Sequence, residues 1–151
     1  MIIGVISDTH GLLRPEAIAA LRGSNHIIHA GDIGSPNILE KLSTIAPITA
    51  IRGNVDVEPW ANGLPITNVV ELSAMFFYVL HDLKSLDLDP AAAGFATIIS
   101  GHSHVPKIEW RKGVLFFNPG SAGPRRFKLP ICVGKIRIVN RQLEPELIPL
   151  G

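Results

Sequence analysis

A chain of 151 residues can enclose one hydrophobic core and is too short for two comfortable domains, so we expect a single domain over residues 1–151. Hydrophobic residues make up 46% and charged residues 18% of the chain, which excludes a disordered or fibrous protein. A formal net charge of +1 gives no long-range field that would attract a long nucleic acid, so that class of partner is not expected.

Cysteine content and the N-terminus indicate a compartment. The single cysteine, Cys132, lies in an apolar run and cannot form an internal disulfide, as is typical of reducing compartments. The N-terminal apolar residues follow no basic region and are interrupted at Asp8, which argues against a signal peptide or a membrane span. We therefore expect a cytoplasmic protein with no membrane partner.

The first half of the chain alternates predicted strands and helices. Apolar, β-branched runs predict strands at 2–6, 26–32 and 48–52. Residues 15–21 and 36–42 each begin with proline and carry apolar residues at helical spacing, which predicts two helices. This alternation is typical of a parallel sheet with right-handed crossovers, whose strands end at one edge.

Each of these three strands ends in side chains that can bind a metal ion. Asp8 and His10 follow the first strand, Asp32 ends the second, and Asn54 follows the third. Carboxylate oxygens, imidazole nitrogens and amide oxygens are all ligands for divalent cations. Strand alternation turns His29 away from the side of Asp32, so we predict a hydrogen-bonded core histidine there rather than a ligand.

The second half predicts further strands, and its last part, from residue 107 onward, is antiparallel in character. We expect strands at 68–72, 75–80, 96–100, 107–110, 114–117, 131–139 and 143–150, with a short helical turn within 87–94. Two of these strands also end in imidazoles, since His81 follows 75–80 and His102 and His104 follow 96–100. Trp110 is predicted to pack on its sheet.

In chain order, these groups resemble the motif series of the calcineurin-like metallophosphoesterases. The series is Asp8-x-His10, Gly31-Asp32, Gly53-Asn54, His81 and Gly101-His102-x-His104. The match extends over nearly the full length, and the size and the turn at 118–121 are most similar to the small, single-domain prokaryotic phosphodiesterases. The resemblance implies an α/β fold, a four-layer α/β/β/α sandwich of two mixed sheets flanked by helices.

The resemblance also implies two divalent metal ions. One would be bound by Asp8, His10, Asp32 and His104, and the other by Asp32, Asn54, His81 and His102, so that Asp32 bridges the pair. Mn²⁺ is our expected metal, while Ni²⁺, Zn²⁺, Fe and Mg²⁺ stay open because several such ions accept nitrogen and oxygen ligands. Two ions roughly 3.5–4 Å apart can hold a hydroxide, lower its pKa from water's 15.7 toward about 7, and direct it at phosphorus. Asp32, Asn54 and His81 are therefore the expected catalytic residues.

Two positions depart from the family pattern. Many members carry a histidine directly after the motif asparagine, where it can protonate the leaving group, and this chain has Val55. Either a metal, a water or another side chain assists the leaving alkoxide, or the enzyme prefers good leaving groups. The family tends to have glycine after its mid-chain histidine, and this chain has Asp82, which either orients His81 or is an exposed turn residue.

Three arginines are candidate substrate contacts. Arg52, Arg125 and Arg126 could clamp a phosphate through their guanidinium forks, or could be structural or solvated charges. The leading hypothesis is a dinuclear metal-dependent phosphodiesterase acting on small phosphate esters. The alternatives are a phosphomonoesterase using the same site and a non-catalytic, protein-binding scaffold of the same fold. Family analogy adds a homodimer or homotetramer.

Overall fold

A computed structural model describes residues 1–151 as two five-stranded sheets with short helices. The strands are β1 (Ile2–Ile6), β2 (His26–His29), β3 (Ile48–Ala50), β4 (Thr67–Leu72), β5 (Met75–Leu80), β6 (Thr97–Ile99), β7 (Lys107–Arg111), β8 (Val114–Asn118), β9 (Cys132–Val139) and β10 (Gln142–Pro149). The helices are α1 (Pro15–Leu21), α2 (Pro36–Ser43) and α3 (Pro90–Ala93), and two 3₁₀ turns lie at Pro59–Ala61 and Leu83–Ser85.

Both sheets mix parallel and antiparallel pairs. The first has the order β10-β9-β1-β2-β3, in which β1, β2 and β3 are parallel, as the strand–helix alternation predicts. The second has the order β4-β5-β6-β8-β7, with β5, β6 and β8 parallel and β4 and β7 antiparallel at the edges. The carboxyl ends of the parallel strands therefore gather at one rim of each sheet.

The main core fills the space between the two sheets. Val5 and Ile28 from the first sheet pack with Phe77 and Phe117 from the second, and all four are fully or almost fully buried. A second apolar cluster, which includes Leu21 of α1, lies between the first sheet and its helices. A third, smaller cluster lies where the segment 83–95 covers the second sheet. The predicted four layers are confirmed, although the fourth is thin.

Several predicted elements end earlier than expected, and the backbone explains why. β2 ends at His29 rather than at residue 32, because Gly31 (φ 98°) and Asp32 (φ 55°) have left-handed backbone that a strand cannot continue through. β3 ends at Ala50 rather than at residue 52. The short helical turn predicted within 87–94 is confirmed as α3. The prediction that Trp110 packs on its sheet is wrong, since the residue is 51% exposed on edge strand β7.

The end of the sandwich opposite the carboxyl ends of the parallel strands consists of tight hairpins. Ser73-Ala74, Lys112-Gly113 and Asn140-Arg141 each form a two-residue turn in which both residues have positive φ. Paired positive φ angles are typical of the type I′ turns that connect twisted antiparallel strands. As for membranes, none of the helices combines the length and apolar character that a bilayer crossing would need.

Candidate metal centre

Backbone hydrogen bonds join the loops that leave the parallel strands. The Asp8 amide donates to the Gly31 carbonyl at 3.0 Å, and the His10 amide donates to the Asp32 carbonyl at 2.9 Å. In the second sheet, the Gly101 amide donates to the His81 carbonyl at 2.9 Å. The loops after β1, β2, β5 and β6 are thus fixed to one another in pairs before any ligand is considered.

A first triad is formed by Asp8, His10 and His104, whose potential ligand atoms lie within 4.8 Å of one another. Asp8 Oδ1 lies 3.8 Å from His10 Nε2 and 3.4 Å from His104 Nε2. The other oxygen, Oδ2, accepts hydrogen bonds from Ser7 Oγ at 2.7 Å and from the His102 amide at 3.0 Å. Asp8 is completely buried, so Oδ1 is the oxygen left to face the two imidazoles.

A second triad is formed by Asp32, His81 and His102, with the same spacing limit. His81 Nδ1 donates to the Ala30 carbonyl at 2.7 Å, which fixes its proton on Nδ1. His81 Nε2 therefore presents its lone pair to Asp32 Oδ2 at a distance of 3.0 Å. A lone pair and a carboxylate at this separation need a cation between them, either a proton or a metal ion.

The two triads adjoin each other. Asp32 Oδ2 lies 3.8 Å from His10 Nε2 of the first triad, and Asp8 Oδ1 lies 3.8 Å from His81 Nε2 of the second. An imidazole of each triad is therefore near the carboxylate of the other. This arrangement suits a ligand shared between two cations, and the bridging role of Asp32 stays a prediction.

Unpaired donor atoms test whether these residues fit a metal ion. Asp8 Oδ1, His10 Nε2 and His81 Nε2 are buried and have no hydrogen-bond partner. Buried polar atoms without a partner are costly and rare in folded proteins, so three that face one another require a ligand. Imidazole nitrogens with carboxylate oxygens are a donor set that first-row divalent ions accept. The residues present therefore fit a divalent metal.

Electrostatics at the rim favour the same ligand. Burial raises the pKa of Asp8. Burial alone would also raise the pKa of Asp32, but His81 and the Val55 amide, which donates to Oδ1 at 3.1 Å, hold that pKa below its usual value. Burial alone would lower the pKa of His81, yet Asp32, the Ala30 carbonyl and Asp8 raise it. A cation at this position would neutralise the repulsion between the two carboxylates.

Five candidate ligands have strained backbone. Left-handed φ angles of 56°, 46°, 55°, 70° and 63° occur at Asp8, His10, Asp32, His102 and His104, respectively. For residues with a Cβ this conformation costs about 1–2 kcal/mol each, and it persists only where the surroundings enforce it. Such strain concentrated in one set of side chains is typical of a functional site. Nothing in the residue pattern predicted it.

Two motif glycines are required by close approach to the carboxylates. A Cβ on Gly53 would collide with the carboxylate of Asp32, and a Cβ on Gly101 would collide with Ser7 Oγ and Asp8 Oδ2. The glycines that precede Asn54 and His102 thus let neighbouring loops approach the buried carboxylates directly.

Asn54 and Arg52 line a cavity of about 500 Å³ whose wall also includes His81 and His102. Asn54 is exposed, and its role as a metal ligand stays a prediction. Arg52 is half-buried, so the structure brings this predicted substrate contact to the second triad. The cavity also includes Asp82, which makes it mixed in charge.

The other two arginines lie in the exposed loop after Gly123. Arg126 is close enough that its charge adds to burial in lowering the pKa of His104, against the effect of Asp8. Arg125 Nη1 donates to the Leu129 carbonyl at 3.3 Å, within its own loop. Arg125 therefore has a local contact, and the roles of both arginines as substrate contacts stay predictions.

Asp82 does not orient His81, so that alternative is wrong. Its Oδ1 accepts the Lys84 amide at 3.1 Å and caps the 3₁₀ turn at Leu83–Ser85. Its Oδ2 lies 3.7 Å from His102 Nε2, which is too long for a hydrogen bond. Asp82 is thus a turn residue, as the other alternative has it, but it is half-buried rather than exposed.

Asp56 is the positioning residue that the residue pattern missed. This buried carboxylate accepts the amides of Ile33 and Gly34 at 3.0 Å each and of Gly53 at 2.9 Å. It thereby joins the loop that carries Asp32 to the loop that carries Asn54. The only sequence signal was an acidic residue placed two positions after the motif residue Asn54.

His29 is a completely buried, hydrogen-bonded histidine, as predicted. Thr9 Oγ1 donates to the Ile33 carbonyl at 2.8 Å, so His29 Nε2 donates to Thr9 Oγ1 at 3.0 Å. Its Nδ1 accepts the Gly31 amide at 3.1 Å, which leaves no room for a second proton. Burial lowers the pKa of His29 to about 3, so the ring stays neutral.

The turn after β8 supports the rim from the other side. Asn118 Nδ2 donates to the Gly101 carbonyl at 3.0 Å, and Asn118 Oδ1 accepts the Gly120 amide at 2.8 Å. Ser121 Oγ donates to the Asp8 carbonyl at 3.1 Å. Both residues belong to the turn quoted for the family resemblance, but the residue pattern did not predict these contacts.

Comparisons with known proteins agree on one family. Residues 1–141 match the family model described as the calcineurin-like phosphoesterase superfamily domain. A probable metallophosphoesterase of Methanothermobacter thermautotrophicus is 35% identical over an alignment 163 positions long. The alignment covers 100% of this chain and 94% of that protein. A solved archaeal phosphodiesterase superposes with a TM-score of 0.80 at 24% identity, over 98% of this chain and 100% of that one. Vps29 from Entamoeba histolytica, solved in complex with Zn²⁺, gives a TM-score of 0.74 at 20% identity over 100% of both chains.

Proposed function

Because the chain belongs to the calcineurin-like phosphoesterase superfamily, we propose that it is a metal-dependent phosphodiesterase hydrolysing small phosphate esters. The observation that carries this proposal is the pair of adjoining carboxylate–imidazole triads with buried, unpaired donor atoms. A phosphoryl group is a polyanion, and a cluster of divalent charge at a sheet rim is the environment that stabilises it.

Two divalent ions, for which Mn²⁺ is our choice, would share these residues. Asp8, His10, Asp32 and His104 would hold one, and Asp32, Asn54, His81 and His102 the other. When bound, such ions lower the pKa of water and neutralise the charge that develops on the phosphoryl oxygens. Neutral Asn54 and four imidazoles against two carboxylates keep the loaded site positive toward phosphate.

The protein's own groups fix the orientation of these side chains. The Ala30 carbonyl keeps the His81 proton on Nδ1, so Nε2 stays available as a ligand. The Val55 amide fixes Asp32 Oδ1 and leaves Oδ2 directed at His81. Arg52 lines the adjoining cavity, where its guanidinium can bind two phosphoryl oxygens through two parallel hydrogen bonds.

The side chain of Val55 cannot donate a proton to the leaving group. It is 45% exposed and stands where many relatives carry histidine. An ester with an acidic leaving group needs no such proton, because its oxygen leaves as a stable anion. We therefore propose that aryl esters are cleaved much faster than alkyl esters.

Two other functions use the same fold. A phosphomonoesterase would use the same triads and differ in the groups around the phosphate. A protein-binding scaffold is favoured by the fold match to Vps29, and because that Vps29 was itself solved with Zn²⁺, metal binding alone cannot decide between scaffold and enzyme.

Turnover measurements decide among these functions. The protein loaded with Mn²⁺ should hydrolyse bis(p-nitrophenyl) phosphate faster than p-nitrophenyl phosphate, and EDTA should abolish both activities. Faster cleavage of the monoester would favour the phosphomonoesterase. Full metal occupancy without cleavage of either ester would favour the scaffold.

Assembly and location belong to the same proposal. We propose a homodimer or homotetramer. We also propose a reducing cytoplasm as its location, because the single cysteine, Cys132, is buried and free. Light scattering coupled to size-exclusion chromatography should give two or four chains per particle, and a monomer would contradict the proposed assembly.

A further inference from the structure

His102 and Asp82 separate two cavities. The first, of about 500 Å³, includes Arg52 and His81, and the second, of about 630 Å³, extends toward Lys84 and Phe116. His102 belongs to the walls of both cavities and to the second triad. A phosphoryl group beside that triad is therefore within reach of both cavities.

The second cavity has a mixed lining of apolar side chains and the charged residues Asp82, Lys84, Lys107 and Glu109. Leu83, Val105 and Phe116 supply apolar surface to it. Lys107 also lines it, but its ammonium group is paired with Glu109 at 2.9 Å. Lys84 is exposed at the same cavity, and no carboxylate lies within 4.0 Å of its ammonium group. The charge of Lys84 is thus free for a ligand.

A monoester carries one organic substituent, whereas a diester carries two. The single substituent of a monoester can occupy the cavity at Arg52, which leaves the cavity at Lys84 empty. Only a diester has a second substituent to fill the cavity at Lys84. Both cavities exceed the roughly 300 Å³ at which small-molecule sites begin. Each is large enough for an aromatic substituent of the size of a nucleoside.

We propose that the cavity at Lys84 binds the second substituent of a phosphodiester, and that this substituent is an aromatic group bearing an anion that pairs with Lys84. The apolar side chains Leu83, Val105 and Phe116 cover the ring, and the ammonium group of Lys84 neutralises the anion. This inference rests on the proposed phosphodiesterase function, and it specifies the class of diester.

Equilibrium binding tests the inference without turnover. The probes are two stable phosphinates in which carbon replaces both ester oxygens of a diester, one with two plain aryl groups and one with a carboxylate on one aryl group. Calorimetry with the Mn²⁺-loaded protein should show tighter binding of the carboxylated probe. Lys84→Met should weaken binding of that probe about fivefold, as removal of an exposed ion pair does, and Lys84→Glu should weaken it further.

The controls separate Lys84 from a general effect of charge. Lys41→Met removes an exposed lysine from α2, and it should leave the affinity for both probes unchanged. The plain probe should bind the Lys84 variants with less than a twofold change. If the Lys84 variants affect both probes equally, or neither, the inference is wrong while the phosphodiesterase proposal stands. If neither probe binds the metal-loaded protein, both proposals fail.

Discussion

The two ends of the sandwich use left-handed backbone for different purposes. At the hairpin end, Ser73-Ala74 and Asn140-Arg141 have positive φ because type I′ turns require it. At the carboxyl ends of the parallel strands, Asp8, Asp32 and His102 have positive φ although none of them lies in a two-residue hairpin. The same conformation therefore serves chain reversal at one end and the placement of candidate ligands at the other.

This contrast separates stability from function. Strain at the hairpins can be relieved by substitution with glycine, since the side chains there are exposed to solvent and the one side-chain contact, from Ser73 Oγ to Met1 Sδ at 3.3 Å, is itself exposed. Strain at the ligand rim is held in place by backbone amides that donate hydrogen bonds to buried acceptors such as Asp56 and His29. Substitutions at the rim should therefore affect metal binding, and substitutions at the hairpins should affect only the free energy of unfolding.

The largest effect is expected from Asp32→Asn. The substitution removes the charge that faces His81 and His10, and with it the carboxylate that we propose to be shared by two ions. Metal content should fall below two ions per chain, and kcat/KM for bis(p-nitrophenyl) phosphate should fall by about a hundredfold or more, given that even outer hydrogen-bond partners of metal ligands are worth 10–100-fold. Asp87→Asn changes an exposed aspartate elsewhere and should alter neither property. Unchanged turnover in Asp32→Asn would refute the bridging role.

Asp56→Ala should give the largest loss of stability. Three backbone amides would lose a buried carboxylate acceptor, and each unpaired group costs about 1–3 kcal/mol. We expect the free energy of unfolding in urea to fall by about 3 kcal/mol or more. Metal affinity should also fall, because the loops carrying Asp32 and Asn54 are no longer joined. A loss below about 1 kcal/mol would show that other contacts hold these loops.

His29 should make the metal-free protein sensitive to acid. Its native pKa of about 3 lies below the ordinary 6.5, so between these values the unfolded chain binds a proton that the native ring does not. The stabilisation is complete above pH 6.5 and falls with decreasing pH by about 1.4 kcal/mol per pH unit toward pH 3. In EDTA, His29→Asn should be less stable at pH 7 but lose stability more slowly from pH 6.5 to 4.

His26→Asn is the matched control for the acid measurement. His26 lies on the same strand, is half-buried and pairs with Thr49 Oγ1 at 2.7 Å. Burial lowers the pKa of His26 as well, but His26 is only partly buried, so this variant should change the pH slope less than His29→Asn does. Equal slopes in wild type and His29→Asn would contradict the neutral, buried ring.

The smallest effect is expected at a hairpin. Ala74 has a φ of 62°, and replacing it with glycine should stabilise the protein by about 0.5–1 kcal/mol without changing metal content. Ala91→Gly, in α3, should destabilise by about the amount that glycine costs in a helix, 0.5–1 kcal/mol. Chemical denaturation of both variants measures the difference. If Ala74→Gly lowered metal content, the functional separation of the two ends would be wrong.

The residue pattern predicted the fold and the chemical groups, but not their geometry. The parallel strands β1 to β3 followed from short apolar runs that alternate with helices, because periodicity and loop length are local properties. The gathering of Asp8, Asp32, His81 and His104 followed from strand ends and the family resemblance. The roles of Asp56 and Asn118 could not be predicted, since their partners are backbone amides and carbonyls brought near only by tertiary folding.

The central claim is that each of the two triads binds one cation. Anomalous diffraction from crystals grown with Mn²⁺ tests this claim most directly. The account predicts two manganese peaks roughly 3.5–4 Å apart, one beside Asp8, His10 and His104 and the other beside Asp32, His81 and His102. An anomalous map with no peak at this rim would contradict the claim. So would electron density from the same crystals that shows the imidazoles of His81, His102 and His104 turned away from the carboxylates.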